Sequence, residues 1–189
     1  MASDAPNPTA AAPTDLYIGG VSRLAKLFGY ATDDLGQFTP ITPDGLPEDY
    51  RTLLAHTGHM TVTLEAFHNS LVDVAVLQER TGEESYAREI VLARQSDGVA
   101  IQYGLVRLWE GGLPADVRAE IRSREIPLGR VLIRHGLMRE VELLSLWRIQ
   151  PGPALTKHLA ADDAPVFGRT AQILVDHRPT VQLLEIINV

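Results

Sequence analysis

The chain has 189 residues, 45% hydrophobic and 22% charged, which is enough apolar material for one real core. Its formal net charge of −7 argues against nucleic acid or an anionic membrane as a partner, so any anion has to be gripped locally. There is no cysteine, which excludes disulfides, thiolate catalysis and cysteine-ligated zinc.

Residues 1–15 are expected to be a disordered tail, because Met1 to Pro13 is rich in Ala, Pro, Thr and Asp and lacks the basic start and apolar run of a signal peptide. No stretch approaches the roughly 18 apolar residues of a membrane span. The expectation is a cytoplasmic protein with a single domain over 16–189. Val21 to Tyr30 reads as a short helix, with Val21, Leu24, Leu27 and Phe28 on one face. Ala31 to Gly45 reads as a loop. A second helix is expected from Leu46 to about Thr57, with Pro47 in its first turn, and a third after Met60, where Thr61 can cap and Leu64 and Phe67 point inward.

The period then changes from 3.6 to 2. Leu71 to Glu79, Glu84 to Ala93 and Ala100 to Trp109 read as an antiparallel meander, with Ser96-Asp97-Gly98 as the second hairpin turn. A helix at Pro114 to Arg124 follows. After the turn Pro127-Leu128-Gly129 comes a short apolar piece, Val131 to Ile133. Glu140 to Ile149 reads as a strand, although Leu143-Leu144 is also compatible with a helix. Ala154 to Ala160 reads as a small helix, and Val166 to Val175 and Val181 to Val189 as the last strands, joined by a turn at Asp176 to Pro179. Six strands with helices grouped over one face and end predict an α+β fold with a mostly antiparallel sheet.

Two charged residues stand out. Arg88 shares strand parity with Tyr86, Ile90 and Leu92, so its guanidinium should be at least partly buried and needs a partner. That partner is either a ligand carboxylate held by the bidentate fork or a structural glutamate, unless Arg88 lies on an edge strand and snorkels to solvent. Glu185 is the only charge between Val181 and Val189; it is a desolvated pocket acid that stays protonated and acts as a general acid, or one half of an ion pair with Arg88 or Arg169, or a residue facing solvent on the outer side. The six histidines form no ligand-spaced set, so no metal is expected. Gly19-Gly20 and Gly111-Gly112 lack the pattern of a phosphate loop.

Several landmarks occur in a telling order: Met60-Thr61 with Leu64-Glu65, Tyr86-Ala87-Arg88-Glu89-Ile90, Asp97-Gly98, Pro127-Leu128-Gly129-Arg130, Phe167-Gly168-Arg169, and Glu185 in the last strand. Over residues 46–189 this series resembles the chorismate pyruvate-lyase family, in its bacterial and archaeal branch. The resemblance implies a six-stranded antiparallel sheet with a ligand sealed beneath helical flaps. It implies Arg88 and Glu185 as catalytic residues, with Arg88 on the ring carboxylate and Glu185 at the hydroxyl or ether end. It implies substrate binding by Met60, Thr61, Leu128 and Gly129, with Tyr86 beside them, and no cofactor. The better-known branch has a second arginine where a gapless hairpin puts Leu105; Arg107, two residues or about 7 Å along the strand, is the available substitute. The reaction expected is elimination of pyruvate from chorismate to give 4-hydroxybenzoate. The alternative is a fold relative that acts on, or merely binds, another small aromatic or cyclohexadienyl carboxylic acid. Regulators with this fold carry a DNA-binding helix-turn-helix, and the short, Pro-rich, acidic N-terminal segment disfavours that role, so no nucleic-acid partner is expected.

Overall fold

The computed structural model describes residues 14–137, 140–161 and 164–189; the tail expected over residues 1–13 lies outside them. Helix α1 (Thr14–Leu27) turns into the short α2 (Thr32–Leu35) and then into β1 (Gly36–Ile41). Helices α3 (Glu48–Leu54) and α4 (Met60–His68) precede the meander β2 (Val72–Thr81), β3 (Ser85–Arg94) and β4 (Ala100–Trp109). Helices α5 (Ala115–Ser123) and α6 (Leu128–Arg134) follow, then β5 (Glu140–Pro151), α7 (Pro153–Leu159), β6 (Val166–Val175) and β7 (Arg178–Ile187).

The expected α+β, antiparallel architecture is what the chain forms, with one strand more than the six expected. All seven strands join one sheet in the order β1-β5-β6-β7-β4-β3-β2, and every pairing is antiparallel. The extra strand is β1, which pairs with β5 at the sheet's edge and lies inside the segment expected to be a loop. Pro40 and Gly36 conceal it: an edge strand tolerates proline because one side of its backbone needs no ladder partner.

Two further segments differ from expectation. Pro127-Leu128-Gly129 is not a turn; Pro127 is the N-cap of α6, whose Leu128, Val131 and Leu132 are buried. β7 begins at Arg178, so the tight turn is Asp176-His177, both with positive φ, as a two-residue hairpin loop requires.

Helices cover both faces of the sheet. On one face Val21, Leu24 and Ala25 of α1, Phe28 just after it, and Leu155 and Leu159 of α7 pack on Ala87, Val91, Tyr103, Leu105, Trp147, Leu184 and Ile186. On the other face two clusters lie side by side. Val117 and Ile121 of α5 and Leu128, Val131 and Leu132 of α6 pack on Tyr86, Val106, Leu108, Ile173 and Leu183. Leu53 and Leu54 of α3 and Met60 and Leu64 of α4 pack on Ile90, Leu92, Leu146, Phe167 and Ile187. The seam between these two clusters is where the polar residues gather.

Candidate functional site

A cavity of about 50 Å³ lies in that seam. Its roof is the start of α4 (His59, Met60, Thr61) and the start of α6 (Pro127, Leu128, Gly129). Its floor is the sheet: Ile90 and Leu92 from β3, Gln102 and Val106 from β4, Leu183 and Glu185 from β7, Arg169 and Ile173 from β6. The space suffices for a few waters, since each needs about 10–15 Å³. A ring-sized occupant needs more space than this. The two roof helices are tied by an ion pair between Glu65 of α4 and Arg130 of α6.

The strand registers place the charged residues. Arg88 pairs with Val106, Val106 with Leu183, Gly104 with Glu185, and Glu185 with Arg169. Arg88 therefore flanks the floor on its β3 side. It is 1% exposed, and none of its three guanidinium nitrogens has a hydrogen-bond partner among the described residues. Burial pulls its pKa down from the ordinary arginine value, against the opposing pull of Tyr86 and Glu79. The Tyr86 hydroxyl is itself engaged with Glu79. Burial, with help from that carboxylate, pushes the phenol up to about 12.

Glu185 is not a free carboxyl group. Arg169 Nε donates to its Oε2 at 2.7 Å, and Arg169 Nη1 donates to the His56 carbonyl at 2.8 Å. Arg169 is as buried as Arg88, but it is paired. The expected protonated general acid is thus replaced by a buried ion pair. His56 sits at the edge of this network; burial first, and the Arg169 cation second, lower its pKa.

Met60, Thr61, Leu128 and Gly129 line the cavity beside Glu185. The amides of Met60 and Thr61 precede the first intrahelical bond of α4, from Thr63 N to the His59 carbonyl, and His59 gives no side-chain cap. Their partial positive charge faces the same space. Tyr86 lies on the Arg88 face but packs in the core under α5.

Arg107 is on the wrong face. A bulge at Leu92/Ala93 shifts the β3–β4 register by one residue, so that Arg88 faces Val106 and not Leu105. A shift of one flips every side chain. Leu105 sits in the opposite core, and Arg107, of the same parity, stacks on Trp109 at 4.6 Å.

Two further cavity residues carry unmet polar atoms and were not expected at the site. Gln102 is 3% exposed and its Oε1 has no hydrogen-bond partner among the described residues. His59 Nδ1 is likewise buried without one among them. No helix among the described residues is long and apolar enough to cross a membrane.

No protein-family model matches the chain, and neither does any curated protein. Solved structures do. The effector domain of PhnF from Mycobacterium smegmatis matches with a TM-score of 0.53 and 17% identity, over 69% of this chain and 88% of that one. PhnF from the same organism matches with a TM-score of 0.52 and 14% identity, over 86% and 91%. The ligand-binding domain of a protein assigned to the GntR family of transcriptional regulators, from Bordetella bronchiseptica, matches with a TM-score of 0.49 and 14% identity, over 62% and 85%. These likenesses correct two expectations. The two likenesses with a TM-score above 0.5 are to PhnF and its effector domain and not to a lyase, so the reading as a chorismate pyruvate-lyase is withdrawn. The exclusion of nucleic acid, drawn from net charge and from the N-terminal segment, falls with it. The chain has the chorismate lyase-like fold that these effector domains share.

Proposed function

We propose that this chain is the small-molecule-sensing domain of a transcriptional regulator, and that its ligand is a small carboxylic acid. The observation that carries the reading is Arg88, a guanidinium 1% exposed whose nitrogens meet no hydrogen-bond acceptor among the described residues, beside the cavity. A buried charge costs several kcal/mol unless it is paired. A structural glutamate would have met that cost within the chain, but Glu185 is already taken by Arg169. A ligand carboxylate meets it from outside, through the bidentate geometry arginine favours.

The rest of the cavity suits the same role. Met60 and Thr61 offer backbone donors, and Ile90, Val106 and Leu183 take an apolar body. Leu128 and Gly129 close the roof from the other side. The starts of α4 and α6 both line the cavity and the two helices are joined by Glu65 and Arg130, so occupancy is coupled to the position of two helices. That coupling lets bound ligand bias a conformational equilibrium, and with it nucleic-acid binding through a DNA-binding unit working with this domain.

The test is calorimetric titration of the chain with a panel of aliphatic, alicyclic and aromatic monocarboxylates. At least one should bind with 1:1 stoichiometry and remain unchanged, and Arg88→Met should remove that binding. Undiminished binding by a folded Arg88→Met protein overturns the reading.

A further inference from the structure

The ligand-sensing reading says what one end of the cavity holds. Gln102 bears on the other end. It is 97% buried, lines the cavity, and its buried amide oxygen Oε1 has no hydrogen-bond partner among the described residues. Buried amide oxygens are ordinarily satisfied, because leaving an acceptor unmet costs free energy with no return in the folded state.

Its position is set by β4. Gln102, Gly104 and Val106 share the cavity face, and Val106 is the register partner of Arg88. Four residues of strand separate the Gln102 and Val106 levels by about 13 Å. Gly104 lies between them without a side chain; a Cβ there would come 3.6 Å from Gln102 Nε2, so the amide leans over the middle of the floor. The Arg169–Glu185 pair, next in register, already satisfies its own charges. The free polar valences at the floor are therefore a cation at one end and an amide at the other, with apolar Ile90, Leu92 and Leu183 around them.

We infer that Gln102 is the residue that determines specificity at the far end of the cavity, which takes a two-ended ligand: an anion for Arg88 and, across an apolar body, a hydroxyl, amino or carboxamide group for Gln102. The inference rests on the ligand-sensing reading and narrows its ligand class. Short monocarboxylates cannot reach both ends. Acids whose second polar group is about a ring or a five- to six-carbon chain away can, given the strand spacing.

The experiment is calorimetric titration of the chain with matched pairs: hexanoate against 6-hydroxyhexanoate, and cyclohexanecarboxylate against its trans-4-hydroxy derivative. The hydroxylated member of at least one pair should bind roughly tenfold more tightly, the worth of one hydrogen bond to a buried amide. Gln102→Leu should erase that preference while keeping affinity for the unsubstituted acid. It should also raise the Tm of the ligand-free protein by roughly 2–4 °C, since an unmet amide is replaced by an apolar side chain. Equal affinity within both pairs, a preference that survives Gln102→Leu, or a fall in the ligand-free Tm overturns the assignment. Binding of unsubstituted acids that is lost in Arg88→Met leaves the sensing reading standing in those cases. If no acid of either pair binds, both readings fall together.

Discussion

Replacing Arg88 by methionine should make the free protein more stable and the protein useless for binding. In the ligand-free chain Arg88 is a buried cation whose Nε, Nη1 and Nη2 have no acceptor. Methionine keeps most of the length and apolar stem and removes the charge. Replacing buried ionic groups with apolar residues of similar volume stabilises by about 1–4 kcal/mol. For a chain of this size that is a rise in Tm of roughly 2–4 °C per kcal/mol. Scanning calorimetry of wild type and Arg88→Met, without ligand, reads this directly, and titration of both with small carboxylates reads the loss of binding. Arg169 is the internal control. It is equally buried but donates to Glu185 and to the His56 carbonyl, so Arg169→Met leaves the Glu185 carboxylate unpaired and should lower stability. Arginine burial is the same in the two cases and only pairing differs. A drop of several degrees for Arg88→Met would mean that Arg88 stabilises the free fold, and the argument for a ligand partner would fail.

Glu185→Ala should cost about 3–5 kcal/mol in urea unfolding, because it strands Arg169 in the core. Arg107→Ala should leave ligand affinity unchanged within about twofold in titration, since its side chain stacks on Trp109 on the opposite face; a large loss would mean that the two faces communicate. Stability should fall as pH drops from about 7 through the ordinary imidazole value near 6.5, because burial together with Arg169 for His56 and Arg94 for His68 lowers both pKa values, so the unfolded chain binds more protons there. The double variant His56→Gln/His68→Gln should show a shallower slope of unfolding free energy against pH over that window; an unchanged slope refutes the assignment.

The meander was readable because its signals are local. Alternating β3 and β4 residues flank Ser96-Asp97-Gly98, and Gly98 indeed takes a positive φ. β1 was hidden because an edge strand needs only one ladder, so Pro40 and a weak alternation suffice. The start of α6 was hidden because three apolar positions in seven residues are too few to show a period. At the site, Arg88, Glu185, Met60, Thr61, Leu128 and Gly129 were legible through the order of landmarks, and all but Arg88 line the cavity, which Arg88 adjoins. Arg107 was misplaced by one bulge, a feature no alternation pattern announces. Gln102 was missed because one polar residue in a strand looks like a solvent-facing position. Its parity with Gly104 and Val106 was the available signal, since a glycine between two inward positions opens floor space.

The landmarks that resemble a lyase family mark the construction of a closed cavity, and construction is separable from chemistry. The paired starts of α4 and α6, the arginine of β3 and the carboxylate of β7 enclose a polar space between two apolar clusters. Eliminating a group from a bound acid asks for more: a group free to hand over or accept a proton at the reacting end. Here the carboxylate at that end is held by Arg169 at 2.7 Å, and Arg169 is held in turn by the His56 carbonyl. Among the described residues, the unpartnered polar atoms lining or beside this cavity belong to the Arg88 guanidinium, the Gln102 amide and the His59 imidazole. The first two grip a ligand and do not move its protons. The ion-paired roof, Glu65 to Arg130, joins the two helices above them.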